Sequence, residues 1–425
     1  MSSTSPKAAP RRLALILSGG GARGAYEVGV LSYLFNQLAR LRGGPPRIDV
    51  LSGTSVGAIN ACHLAAHLDD PAAGMRRLVD LWSRLELPHV LGFGMRQVMS
   101  LPRILTGGGA GTGVFDAAPM AELVLREVPW RAITRSLRQG RLRALSVSAT
   151  EVASGRTVVF MHLGPDAALP TTAPPRTIIR AERIGPQHAL ASAAIPILFP
   201  PVKIGSSLYV DGGLRQNTPI APALRMGATH VFAIGLSRDV RGVDPGTSES
   251  APGAAFLLGK VLNAFLLDHV QSDIELLERL NGVLADGMLV YGDQFLGTLS
   301  SAAVARGAQP YRPVRCLEIR PSEDIGRLAA DYVRRGKLRG GPVVTRRILQ
   351  MLDVGVGTEA DLASYLLFDG DFCRKLVDLG CADASARREE LLDFFGKAED
   401  DAQRGEPGAS EPPAGDWTLP PPAVG

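Results

Sequence analysis

With 425 residues, 45% of them hydrophobic and 21% charged, the chain can bury a core large enough for one big α/β domain with an appended element, or for two domains. Its 46 basic side chains outnumber the 42 acidic ones by only four over the whole length, which excludes the concentrated basic patch of a dedicated nucleic-acid binder. Cys62, Cys316, Cys373 and Cys381 are scattered without a CxxC pair, against a structural zinc site and in keeping with a reducing cytoplasm. No run approaches the roughly 18 apolar residues of a membrane-spanning helix.

Residues 1–10 are polar and proline-containing and read as a flexible arm. Arg11 and Arg12 ahead of Leu13–Leu17 imitate a secretory leader, but the apolar run is shorter than the roughly 7 residues of a minimal leader core. Cleavage after it would also remove a glycine-rich turn, so the run is predicted to be a strand. A helix follows over 25–41, with Tyr26, Gly29, Val30, Leu34 and Leu38 on one stripe, then a strand over 48–51 and a helix over 56–68. This alternation predicts parallel βαβ units. Further strands are predicted over 142–147, 157–161, 208–210, 230–235 and 314–319, with loops over 105–113 and 167–175. A helix over 254–280 carries a dense apolar run from Phe256 to Leu266, better suited to a core than to a lipid interface. Residues 323–400 read as helices, and 401–425 are acidic, proline-rich and expected to be disordered.

Gly53-Thr54-Ser55-Val56-Gly57 is a G-x-S-x-G pattern between a predicted strand and a predicted helix, the setting in which a serine hydroxyl stands out from a sheet. So tight a turn needs small flanks, because side chains at either glycine would collide with the strand or the helix. The N-terminus of the following helix favours negative charge developing at the same spot. The bare pentapeptide also fits a βα turn with serine as a helix cap.

Ser18 is followed by Gly19, Gly20, Gly21, Ala22, Arg23 and Gly24, directly after the first strand. Successive glycines let main-chain N–H groups converge on an anion. The letters also satisfy the dinucleotide fingerprint, but that fold wants an acidic residue at the far end of the second strand. Gly53-Thr54-Ser55 occupies that end, and Asp49 lies at the near one. An oxyanion hole, by contrast, gains a nucleophile on the neighbouring strand, and each amide donor can supply roughly 3–4 kcal/mol of transition-state stabilisation. Arg23 would keep the loop cationic, bind phosphate, or be an ordinary exposed charge.

A serine nucleophile needs a proton acceptor, and none of the seven histidines sits in a local pattern typical of a catalytic one. Tyr209-Val210-Asp211-Gly212-Gly213 instead places a carboxylate just after a short strand, with two glycines clearing space around it. A free aspartate, with pKa ~3.9, is a weak base toward an alcohol, so the proton must move as the serine attacks. Taken alone, Asp-Gly-Gly is also a common turn.

The motifs in this order resemble the patatin-like phospholipase family: Gly19–Gly24 with Gly29-Val30-Leu31, then Gly53–Gly57 with Ala58-Ile59-Asn60-Ala61, Ala191-Ser192-Ala193-Ala194-Ile195-Pro196, Phe199-Pro200-Pro201-Val202, Asp211-Gly212-Gly213, Asn217 and Pro219. Gly213, where many relatives carry alanine, is a variant that the family also shows. Ser364 to Asp369 is similar to bacterial members. The resemblance implies a three-layer α/β/α hydrolase variant with a mainly parallel central sheet and a helical C-terminal extension. It implies Ser55 as nucleophile, Asp211 as proton acceptor and Gly19 to Gly24 as oxyanion loop, with Thr54 and Val56 in the nucleophile elbow. It further implies that no metal or cofactor is required and that the substrate is a phospholipid or other acyl lipid. The scattered cysteines, the lack of a leader and the weak net charge add the expectation of a cytoplasmic protein, in peripheral contact with a membrane and without a nucleic-acid partner. The expected organisation is an arm at 1–10, a catalytic domain at 11–320 with its motif-bearing core at 13–220, a helical extension at 321–400 and a tail at 401–425. Two other readings stand beside this one: a non-catalytic lipid-binding or regulatory module on the same fold, and a nucleotide-dependent enzyme cradling phosphate in the glycine loop.

Overall fold

A computed structural model describes residues 11–92, 113, 115–170, 173–215, 219–238, 269–292, 294–306, 309–335 and 361–396. The expected arm and tail, most of the loop over 105–113, the apolar run from Phe256 to Leu266, and Asn217 lie outside these residues.

Among the described residues, nine strands form one mixed, mostly parallel sheet: β1 Leu13–Leu17, β2 Val50–Thr54, β3 Ala144–Glu151, β4 Thr157–Leu163, β5 Thr177–Ala181, β6 Val202–Ile204, β7 Ser207–Asp211, β8 His230–Ile234 and β9 Arg315–Ile319. The main path runs β5-β4-β3-β2-β1-β8-β9. β1 is apolar throughout and fully buried, as a parallel strand covered on both faces must be, and it pairs in parallel with β2 and β8. β4 and β7 both run antiparallel to β3, and β6 forms a hairpin with β7. Several strands end elsewhere than the sequence suggests, β2 and β3 most clearly. β2 runs on through Ser52, Gly53 and Thr54, poor strand formers, because β3 supplies ladder partners as far as Ser148. β5 and β6 were not expected: both are short and largely unburied, and the alternation Val202-Lys203-Ile204 of β6 is only three residues long.

One face of the sheet carries α1 Gly24–Ser32, α2 Val56–Ala66 and α3 Pro71–Ser83. α1 continues through a π-helical stretch, Tyr33–Leu38, to Ala39–Arg42, and stops at Gly43 with φ 84°. α4 Ala118–Glu127, α5 Trp130–Arg138 and α6 Pro186–Ser192 complete this side. The other face is covered by α7 Ile220–Arg225 and by α8 His269–Tyr291, which leads into α9 Gln294–Ala305. The C-terminal region is helical as expected: α10 Ile325–Arg334, α11 Asp361–Leu366, α12 Gly370–Ala386 and α13 Arg388–Phe395. Tyr365, Phe372, Leu376 and Phe394 from these helices share one core with Leu15 and Tyr26. Among the described residues, no helix is long and apolar enough to cross a membrane.

Candidate active site

Ser55 and Asp211 are 156 positions apart, and a single strand brings them together. β2 pairs with β3 until Thr54 faces Ser148, and β7 takes over on β3 where Asp211 faces Ala149. The ends of β2 and β7 therefore meet at two consecutive positions of β3, which sets Ser55, the residue after β2, beside Asp211. Ser55 adopts φ 53° and ψ −129°, a strained conformation for a residue with a side chain, and Val56 opens α2 directly behind it. Gly57 is required for this closeness: a Cβ there would stand 2.6 Å from the Leu17 carbonyl. Gly53 is pressed in the same way against the Gly57 carbonyl, and Gly212 against Ser148 O.

Ser55 Oγ donates to Asp211 Oδ2 at 2.6 Å, while Asp211 Oδ1 accepts from Gly213 N at 2.7 Å. Burial pushes the Asp211 carboxyl up to about 7, against the opposing pull of these two hydrogen bonds. A base of that strength suits proton transfer near neutrality far better than a free aspartate. Ser55 N donates to Ser192 Oγ at 2.8 Å, whose hydroxyl donates to Ser148 O at 2.6 Å, so the strained turn is pinned to the strand beneath it. Among the described residues no histidine hydrogen-bonds either group. His63, the histidine closest in sequence, binds Gly74 O, and its burial pulls it down to about 4.

The glycine loop forms a turn, Gly21–Arg23, between β1 and α1. Gly21 has φ +57°, and the amides of Gly21 and Ala22 precede the first bond of the turn, from Arg23 N to Gly20 O at 3.1 Å. The loop lies beside the serine: a Cβ on Gly24 would meet Val56 at 2.7 Å, and Gly21 lines the same cavity as Ser55. Gly20 packs on Leu236, and Gly19 is buried. Arg23 is buried, not an exposed charge; its Nε donates to Ser364 Oγ at 2.7 Å.

Sequence reasoning missed Glu27 and gave no site role to Asn60 and Ser192, which it quoted only within the family motifs. Glu27 is fully buried and accepts Ser18 N at 2.6 Å and Asn60 Nδ2 at 2.9 Å, while Trp82 Nε1 donates to Asn60 Oδ1 at 3.3 Å. The network ties the start of the glycine loop to the helix behind Ser55, and burial raises the Glu27 carboxyl to about 8. The available signal was a charged residue inside an otherwise apolar helical run.

Residues 15–224 match the model of the family described as patatin-like phospholipase. The chain carries a patatin-like phospholipase domain. The chain is similar to the cGAMP-activated phospholipase of Pseudomonas aeruginosa, 31% identical over 207 residues that make up 48% of this chain and 53% of the relative. An uncharacterised NTE family protein of Mycobacterium tuberculosis is 26% identical over 228 residues, 53% of this chain and 49% of the relative. The chain thus spans about half the length of these curated relatives. Among solved structures, human GIVD cytosolic phospholipase A2 in complex with methyl gamma-linolenyl fluorophosphonate aligns with a TM-score of 0.39 at 13% identity, covering 92% of this chain and 60% of that one.

Ser55 and Gly21 of the patatin-like domain line an apolar cavity of about 80 Å³. Ile59 of α2, Leu78 and Trp82 of α3, Met120 of α4, and Ile195 and Phe199 after α6 form much of its wall. His63 and Glu127 line both this cavity and a more polar basin alongside it. No group of three or more His, Cys, Asp or Glu suited to a metal ion occurs among the described residues.

Proposed function

We propose that the domain is a serine acyl-ester hydrolase that cleaves fatty-acyl esters of membrane lipids, phospholipids or lysophospholipids, through Ser55 and Asp211. The observation that carries this reading is the 2.6 Å hydrogen bond to a buried carboxylate from Ser55 Oγ, on a serine that lines an apolar cavity. Ser55 Oγ attacks the ester carbonyl as its proton passes to Asp211 Oδ2. Negative charge gathers on the carbonyl oxygen, and the loop amides at Gly21 and Ala22 are the donors best placed to receive it, since Ser55 N is already held by Ser192. Collapse breaks the ester C–O bond, and Asp211 returns the proton to the departing lysolipid alcohol, leaving the acyl group on Ser55. Water then gives a proton to Asp211 as it attacks the acyl carbon. Ser55 leaves with that proton, and the fatty acid is released. No step draws on a metal or cofactor, and a lipid substrate entails peripheral contact with a bilayer.

Ser55→Ala and Asp211→Asn should each lower kcat by roughly 10³-fold or more on p-nitrophenyl acyl esters and on phospholipid vesicles, with unchanged circular dichroism. Full activity of Ser55→Ala would remove the serine from the reaction. Full activity of Asp211→Asn would send the search for the base to the histidines. A wild-type protein that binds vesicles and releases no fatty acid would instead be a lipid-binding module.

A further inference from the structure

We propose that residues 361–368, which lie outside the family-matched stretch 15–224, complete the acyl site: their backbone supports the glycine turn and their apolar side chains set the length of acyl chain accepted. The proposal rests on the hydrolase reading and deepens it by naming what selects the acyl group.

Three contacts tie α11 to the turn. Tyr365 O stands 2.2 Å from where a Cβ on Gly21 would be, so the two segments meet backbone to backbone. Ser364 Oγ accepts the Arg23 Nε hydrogen bond, and the Arg23 guanidinium lies 4.5 Å over the Tyr365 ring. A buried arginine is tolerated only when its donors are satisfied and its charge is met, here in part by a hydroxyl and a π face. The turn between Gly21 and Arg23 is therefore gripped at both of its ends by one short segment.

That segment is itself fixed. Asp369, buried directly after it, accepts Tyr332 Oη at 2.6 Å and caps α12 through Asp371 N at 3.1 Å and Phe372 N at 3.3 Å. α12 in turn packs so tightly on α1 that a Cβ on Gly380 would lie 2.2 Å from Tyr26 O. α1 starts where the glycine turn ends, so α12, α11, the turn and α1 form a closed mechanical loop.

Tyr365, Leu366 and Phe368 all line the cavity that Ser55 lines, and the Phe368 ring packs 6.2 Å from that of Trp82, another of its wall residues. At about 80 Å³ the cavity is smaller than the roughly 150 Å³ space that admits a benzene molecule, so each wall side chain decides how many methylenes enter. Removing the Phe368 ring lengthens the cavity without touching Ser55 or Asp211.

The test compares wild type, Phe368→Ala and the milder Phe368→Leu on p-nitrophenyl esters from butyrate to palmitate. Phe368→Ala should raise the ratio of kcat/KM for long over short chains by about 10-fold or more, with Phe368→Leu in between. A misfolded fraction lowers every rate by one factor and leaves that ratio unmoved, so a length profile parallel to wild type in both variants overturns the proposal. The same substitutions in a Ser55→Ala background, read by displacement of a fluorescent fatty acid with octanoate, laurate and palmitate, need no turnover. A shift toward palmitate there supports the acyl wall even if wild type hydrolyses nothing, and identical displacement curves count against it.

Discussion

On one face of the sheet, α1, α2 and α12 approach so closely that main chain replaces side chain at the contacts; on the other, α8 stands off on ordinary side chains. A Cβ on Gly29 would lie 2.1 Å from Val377 O, and one on Gly57 2.6 Å from Leu17. Across the sheet α8 packs through Ile274 and Leu277, while Leu276, Val283 and Leu289 face outward, and Gly282 and Gly297 have nothing within 4 Å of an added Cβ. The close-packed face is the one that bears Ser55 and the glycine loop. Backbone-to-backbone contact leaves no soft side chain to absorb a shift, so Ser55 and the glycine turn inherit the rigidity of the strands beneath them.

Substitutions can break this contrast. The largest effect is expected at Gly57, where Gly57→Ala forces α2 off β1 and should cost about 3 kcal/mol or more, read as a loss of folded protein or a lower urea midpoint. Gly29→Ala, at the α1 to α12 crossing, should cost about 2–3 kcal/mol by the same measure. Wild-type midpoints for both would mean that the two faces are equally compliant. The smallest effect has the opposite sign: Gly282→Ala and Gly297→Ala, in open helical positions, should each add roughly 0.5–1 kcal/mol and leave ester hydrolysis unaltered. Destabilisation there would show that α8 and α9 are covered by a partner or packed more tightly than their surface implies.

Much of the site was legible because its chemistry is written in local patterns. The elbow around Ser55 sits between a strand and a helix as the letters predict, and Asp211 closes a short strand where the letters put it one residue beyond. The junction on β3 that joins them was not readable, since register is a long-range property and nothing in 144–151 announces two partners on one edge. The raised pKa of Asp211 also escaped, because it comes from burial, which residues far along the chain supply. Arg23 could be read as an exposed charge or a phosphate ligand only because its neighbour in space, Ser364, is 341 positions away. The short motif at 364–369 was visible as letters, but its place against the glycine turn required the fold.

The most direct test of the central claim is the rate at which a fluorophosphonate probe labels the protein as pH is varied. A base lifted to about 7 is protonated below that value and ionised above it, so labelling should rise about tenfold per unit up to near pH 7 and then level off. The label should map to Ser55, and Asp211→Asn should abolish the reaction. Label on another residue, or an Asp211→Asn protein that reacts as fast as wild type across the range, would contradict the Ser55 and Asp211 account.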